Sequence, residues 1–305
     1  MMQLGDLWSL QGQLLTLLVV GLLLRKIGLL TQEAKVVLTD FVLYVTLPCS
    51  IVLSFRMDLD SGVFAALSVV FFVSVGIQFF CYGLSKLVFK KLEEGRKRVL
   101  RYGLLVSNSG FLGLPIAGEL FGSMGFMLAS IYLIPQRIVM WSAGLTVFSS
   151  DSGNPRQLAR KVLLHPCMVA VYLGLVIMIT DPPIPRFLLA TMDSIGSCTT
   201  ALSMILIGTI FAEMDKDIVR MDRQLVIFSV DRLFLMPYVS YLVSRLLGID
   251  PLITGVAVIL AAMPGGSSTA ILSAKYGGDT PYASKMVILS TLLSMLSIPL
   301  WGMVL

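Results

Sequence analysis

The sequence predicts an all-α integral membrane protein whose ten transmembrane helices form two inverted repeats of five, and three observations carry that prediction. Its 305 residues are 56% hydrophobic and 13% charged, with a mean hydropathy of +0.89, which excludes a water-soluble surface. Apolar runs of about 20 residues, the length that crosses a bilayer, recur along the whole chain. Internal similarity at a spacing near 155 residues divides it into a first half, residues 1–150, and a second, residues 151–305.

Apolar runs between polar breaks place spans near 8–24, 36–55, 62–88, 99–121, 125–148, 164–180, 187–211, 224–246, 251–274 and 283–304. Span one follows Met1-Met2-Gln3-Leu4-Gly5-Asp6, which lacks the basic start of a signal peptide, so it is expected to stay as a helix. Span six opens on His165-Pro166, with proline in the first turn, where its missing N–H costs nothing. The breaks after odd-numbered spans carry Arg25, Lys26, Lys35, the basic run from Lys86 to Arg101, then Arg156, Arg160, Lys161, Lys216, Arg220, Arg223, Lys275 and Lys285. Those after even-numbered spans carry only Arg56, Arg186 and Arg245. This bias puts the odd-numbered breaks in the cytoplasm and both termini outside the cell membrane. The formal charge of +5 therefore reads as orientation, not as nucleic-acid binding.

The repeat rests on three matches. Leu38-Thr39-Asp40 with Thr46 and Ser50 corresponds to Thr191-Met192-Asp193 with Thr199 and Ser203 at an offset of 153. Tyr82-Gly83-Leu84-Ser85-Lys86-Leu87 resembles Tyr241-Leu242-Val243-Ser244-Arg245-Leu246 at 159, and Glu119-Leu120-Phe121-Gly122 aligns with Ala274-Lys275-Tyr276-Gly277 at 155. Five spans per half is odd, so the second half enters the bilayer from the opposite side. Inverted repeats belong to secondary transporters, where two similar halves of opposite sense expose one central site alternately to either side.

Two spans are expected to break at mid-membrane depth. Span four contains Ser107-Asn108-Ser109-Gly110-Phe111-Leu112-Gly113-Leu114-Pro115, and span nine contains Ala262-Met263-Pro264-Gly265-Gly266-Ser267-Ser268-Thr269. Proline removes a helical hydrogen bond and glycine weakens the helix, and unwound backbone survives in hydrocarbon only where protein covers it or a site uses it. If the broken helices cross, free N–H groups and positive half-helix ends converge, with Asn108, Ser267 and Ser268 as donors, and such a site favours an anion.

Charges inside the spans are the remaining candidates. Arg137, mid-way along span five, either grips a substrate carboxylate or pairs with an internal acid such as Glu119, Asp193 or Asp231. Arg232 sits shallow enough in span eight to snorkel or to serve an interface. Asp40, Asp193 and Asp231 are candidate carriers of a coupling proton if buried.

The paired breaks Asn108-Ser109-Gly110-Phe111-Leu112-Gly113-Leu114-Pro115 and Met263-Pro264-Gly265-Gly266, the Leu47-Pro48 of span two and the ten-span length resemble the auxin efflux carrier family along the whole chain. The resemblance implies a scaffold of spans one, two, six and seven, often dimerising to a homodimer, and a mobile, elevator-like transport domain of spans three to five and eight to ten. It implies organic-anion substrates, such as auxin in plants and malate or malonate in bacterial members. By that resemblance Asn108 binds the carboxylate, with Ser109 and Gly110 beside it, and Pro115 and Pro264 are the crossover prolines. The chain lacks the long central loop of plant members, so a compact prokaryotic member is the better match.

The resulting expectation is a secondary active transporter of mono- or dicarboxylates with no cofactor, in contact with membrane lipids, with coupling to protons, to sodium or to a counter-substrate all left open. An intramembrane enzyme is disfavoured because the chain has neither HExxH nor GxGD, and Gly277-Gly278-Asp279 has the wrong spacing. A passive anion channel is disfavoured because no polar face runs the length of several helices. No Walker motif is present for ATP hydrolysis.

Overall fold

A computed structural model of the chain describes residues 4–56, 61–90, 92–142, 147–148, 155–212, 222–276 and 278–305, and these form helices, with no strand among them. Met1, Met2, Gln3, Lys216, Arg220 and Gly277, named above, lie outside the described residues, as does Lys91 within the basic run. In chain order the helices are α1 (Leu4–Lys26), α2 (Gln32–Ser54), α3 (Ser61–Val88), α4 (Glu94–Leu105), α5 (Leu114–Trp141), α6 (Pro155–Leu163), α7 (Pro166–Thr180), α8 (Arg186–Ala212), α9 (Arg223–Leu246), α10 (Pro251–Ala261), α11 (Ser268–Tyr276) and α12 (Thr280–Val304). Among the described residues six helices are long and apolar enough to cross a membrane, and α7 and α10 are shorter apolar helices.

Local sequence explains most of these boundaries. Thr31 caps α2 by accepting from the Ala34 N–H at 3.2 Å, and Asp250 caps α10 by accepting from Leu252 and Ile253. Pro48 and Pro237 each follow a π-helical turn, Val42–Thr46 and Asp231–Leu235, which lets the chain pass a proline without ending the helix. The fourth and fifth expected spans meet at Gly122, where φ is +66° and ψ is −161°, so a single residue turns the chain where a short loop was expected. The segment before span six is not a plain loop: Pro155–Leu163 forms a separate helix that carries Arg156 and Arg160 as exposed side chains.

Packing sorts the helices into two groups. Helix α1 lies against the second part of α8, and a Cβ on Gly21 or Gly208 would collide with the backbone of the facing helix. Helix α2 packs on α7 and on the first part of α8, where the Ser50 hydroxyl donates to the Gly196 carbonyl at 3.0 Å and meets the Thr199 hydroxyl at 3.0 Å. The other group joins α3 to α5, α9 and α10 to each other and α10 to α5, and α11 to α12. At one face, Arg96 binds Asp279 at 3.3 Å and Asp222 at 3.8 Å, and the Tyr282 hydroxyl donates to Asp222 at 3.2 Å. The start of α4 and the residues just ahead of α9 and α12 therefore meet on one face.

Candidate functional site

Two interrupted helices meet inside the bundle. The chain leaves helical geometry at Val106–Asn108, between α4 and a π-helical turn Ser109–Gly113, and again between α10 and α11. The unwound pieces pair in antiparallel fashion at Ser107 and Gly265: the Asn108 N–H donates to the Pro264 carbonyl at 2.8 Å, and the Gly266 N–H to the Val106 carbonyl at 2.9 Å. Each piece thus satisfies the other's backbone inside the bundle. Gly266 is required by the close approach, since a Cβ there would lie 3.1 Å from the Val106 carbonyl oxygen and 3.3 Å from that of Ser107. Gly265 faces Met286 Sδ, 2.5 Å from where its Cβ would be, and donates its N–H to Ser290 Oγ at 3.2 Å.

In the first break the unwound residues lie earlier than the glycines and proline suggested. Gly110 sits in the π turn, and Pro115 is in the first turn of α5, where a proline starts a helix without breaking it. Ser109 turns inward and donates to the Leu260 carbonyl at 3.1 Å, and it also meets the Ser107 hydroxyl. The Ser268 hydroxyl meets Tyr102 Oη at 3.3 Å.

The beginnings of the π turn and of α11 border one cavity of about 330 Å³, at the small end of the roughly 300–1,000 Å³ of ligand pockets. Asn108, Phe111, Ser267 and Ala270 line it from the crossover, Lys35 and Thr39 from α2, Ser203 and Ile207 from α8, and Ser284 and Val287 from α12. Each helix start presents N–H groups without intrahelical partners and the positive end of its dipole. Asn108 is 5% exposed, and its carboxamide makes no hydrogen bond among the described residues. Ser203 is fully buried with an unpartnered Oγ. Buried groups of this kind are costly unless something fills the cavity and pairs with them. Lys35 supplies a positive charge among the lining residues.

Toward the other end of α2 and α8 lies a second cavity of about 410 Å³, lined by Ser50, Pro115, Glu119, Asp193, Thr199 and Thr200, with Glu119 3.5 Å from the Thr200 hydroxyl. Asp193 and Asp40 are both exposed in the single chain. Asp231 is partly buried, and its Oδ2 has no partner.

Arg137 does not line the crossover cavity, and no described ion pair joins it to Glu119, Asp193 or Asp231. It is 8% exposed with Nη1 unpartnered, and its charge acts on His165 at the start of α7. Its neighbour Gln136 is the residue that sequence reasoning missed. Gln136 Nε2 donates to the Ser107 carbonyl at 2.8 Å, and its Oε1 accepts from Ser107 Oγ at 3.0 Å, fixing the first unwound segment. Lys35 and Ser203 were also missed as site residues, although Ser203 already stood out in the repeat.

The sequence profile of a membrane transport protein family matches residues 12–159 and 154–302, which together span nearly the whole chain. An "Uncharacterized transporter" of Methanocaldococcus jannaschii is 26% identical over 301 residues, 95% of this chain and 96% of its own length. An "Uncharacterized transporter" of Methanothermobacter thermautotrophicus is 27% identical over 294 residues, covering 95% and 96%. A "Putative malonate transporter" of Rhizobium meliloti is 20% identical over 201 residues, 63% of this chain and 62% of that protein. With its apolar helices and this match along its length, the chain is a multi-pass membrane transport protein and belongs to the auxin efflux carrier family.

Proposed function

We propose that the chain is a secondary active transporter of small organic anions, binding a carboxylate where the two broken helices cross. The observation that carries the reading is the convergence of two helix starts, the unpartnered Asn108 carboxamide, the unpartnered Ser203 hydroxyl and Lys35 on one cavity. A carboxylate satisfies such donors, and a second carboxylate reaches Lys35 in the role first given to Arg137. The relative named for malonate supports a short dicarboxylate as the first substrate to try.

In this reading α1, α2, α7 and α8 are the scaffold, through which two copies pair, and α3–α5 with α9–α12 are the moving body of a ten-span, elevator-like carrier. The cavities at either end of the boundary between the groups support alternating access. The face where Arg96 meets Asp222 and Asp279 lies in the cytoplasm, and both termini lie outside the cell membrane. Of the three carboxylates considered for coupling, Asp231 is retained, because one of its oxygens is buried without a partner.

The test is uptake of radiolabelled malonate into proteoliposomes, with and without unlabelled malonate inside. Saturable uptake that internal malonate accelerates is expected. In Lys35→Met, preference for malonate over acetate should fall about tenfold with little change for acetate. Ion currents through single open channels, or no saturable flux of any carboxylate, would overturn the proposal.

A further inference from the structure

Arg232 is a guanidinium 3% exposed inside the bundle, and it does not snorkel. Its Nε donates to the Met263 carbonyl at 2.9 Å, while Nη1 lies 3.5 Å from the Leu104 carbonyl and 4.0 Å from Cys81 Sγ. Leu104 is in the last turn of α4, and Met263 lies two residues beyond α10. One side chain therefore bridges the C-terminal ends of both half-helices, opposite in polarity to the helix starts that border the cavity. The π turn Asp231–Leu235 presents it, held in turn by Trp301 Nε1 donating to the Leu233 carbonyl at 2.9 Å.

Carbonyls at such ends carry partial negative charge, and in carriers with broken helices they are the groups that hold a coupling sodium ion. No described ion pair gives Arg232 a carboxylate partner, so these carbonyls are what balances its charge. We propose that Arg232 is a tethered cation that completes the carbonyl side of the crossover in place of a sodium ion, so that carboxylate transport by this chain needs no sodium. The inference rests on the anion-carrier reading and makes Arg232 a positioning residue, acting on substrate through the crossover backbone.

Wild type, Arg232→Lys and Arg232→Ala are compared by malonate counterflow in proteoliposomes and by thermal unfolding in detergent, each in sodium or choline at equal ionic strength. Wild-type flux and unfolding temperature should be the same in both salts. Arg232→Lys, which keeps the charge but reaches fewer carbonyls, should lose less than about tenfold in flux and stay indifferent to sodium. Arg232→Ala should lose at least about tenfold, and about 10 mM methylguanidinium should raise its unfolding temperature but not that of wild type, by mass action on the vacated carbonyls.

Sodium-stimulated flux in wild type, undiminished flux in Arg232→Ala, or equal effects of methylguanidinium on both proteins would overturn the proposal. If Arg232→Ala does not fold, Arg232→Lys decides: flux that becomes sodium-dependent there sinks the idea. If wild type neither moves nor binds malonate, the carrier reading fails for that substrate, while the methylguanidinium comparison still judges Arg232.

Discussion

Replacing Asn108 by alanine separates binding from folding, because the structure assigns this side chain no internal duty. Its carboxamide caps no helix and makes no hydrogen bond among the described residues, so ligand-free Asn108→Ala should unfold within about 0.5 kcal/mol of wild type. A hydrogen bond to a charged carboxylate is worth about 1.5–3 kcal/mol, which weakens binding about 10- to 150-fold when the donor is lost. At a ligand concentration of about 100 times the wild-type Kd, wild type gains about 2.7 kcal/mol, and a variant bound about 30-fold more weakly gains about 0.9 kcal/mol. Thermal unfolding of detergent-purified protein against malonate, succinate and acetate reads both quantities. A variant that keeps the full ligand shift, or one destabilised without ligand by about 2 kcal/mol, would refute the assignment of Asn108 to the site.

Ser203→Ala removes a buried hydroxyl that has no partner, so ligand-free stability should stay level or rise by up to about 1 kcal/mol while the malonate shift shrinks. Gln136→Leu strips Ser107 of two hydrogen bonds and should cost about 1–3 kcal/mol by thermal unfolding, with Gln136→Glu recovering part of it. Lys97 Nζ, 2.7 Å from Glu94, holds that exposed carboxyl below its usual 4.5. A lowered carboxyl adds stability above its ordinary value and loses it as pH falls through the lowered range, so Glu94→Gln should flatten a small acid-side decline measured down to about pH 3. High salt should erase the same contribution.

The second break was legible because Pro264, Gly265 and Gly266 stand together in a helical run, and three adjacent weak points leave little choice of where it opens. In the first, Gly110 and Pro115 pointed too far along the chain. A proline is tolerated one turn into a helix, and the opening at Val106–Asn108 is set by its partners in the other half, which local sequence does not show. Gln136 escaped and Arg232 was read as a snorkelling or interface residue for the same reason: both act on carbonyls far from them in sequence, and a polar residue in an apolar run does not name its partner. The helix Pro155–Leu163 was lost among basic residues that read as a cytoplasmic loop. Arg137 was singled out because a charge in a span invites a functional role, and the structure places it outside the lining of the crossover cavity.

The pairing of Asn108 with Pro264 and of Val106 with Gly266 also has a history in time. These partners leave the ribosome 156 and 160 residues apart, which at about 5–20 residues per second is roughly 8–30 s of synthesis. Throughout that interval the first half holds an open backbone donor and acceptor in a bilayer that offers neither. The nascent first repeat therefore needs shelter, from the insertion machinery or from water it admits, until the second arrives. A chain truncated after the first repeat should be cleared by membrane proteases, and supplying the second repeat as a separate polypeptide should rescue it.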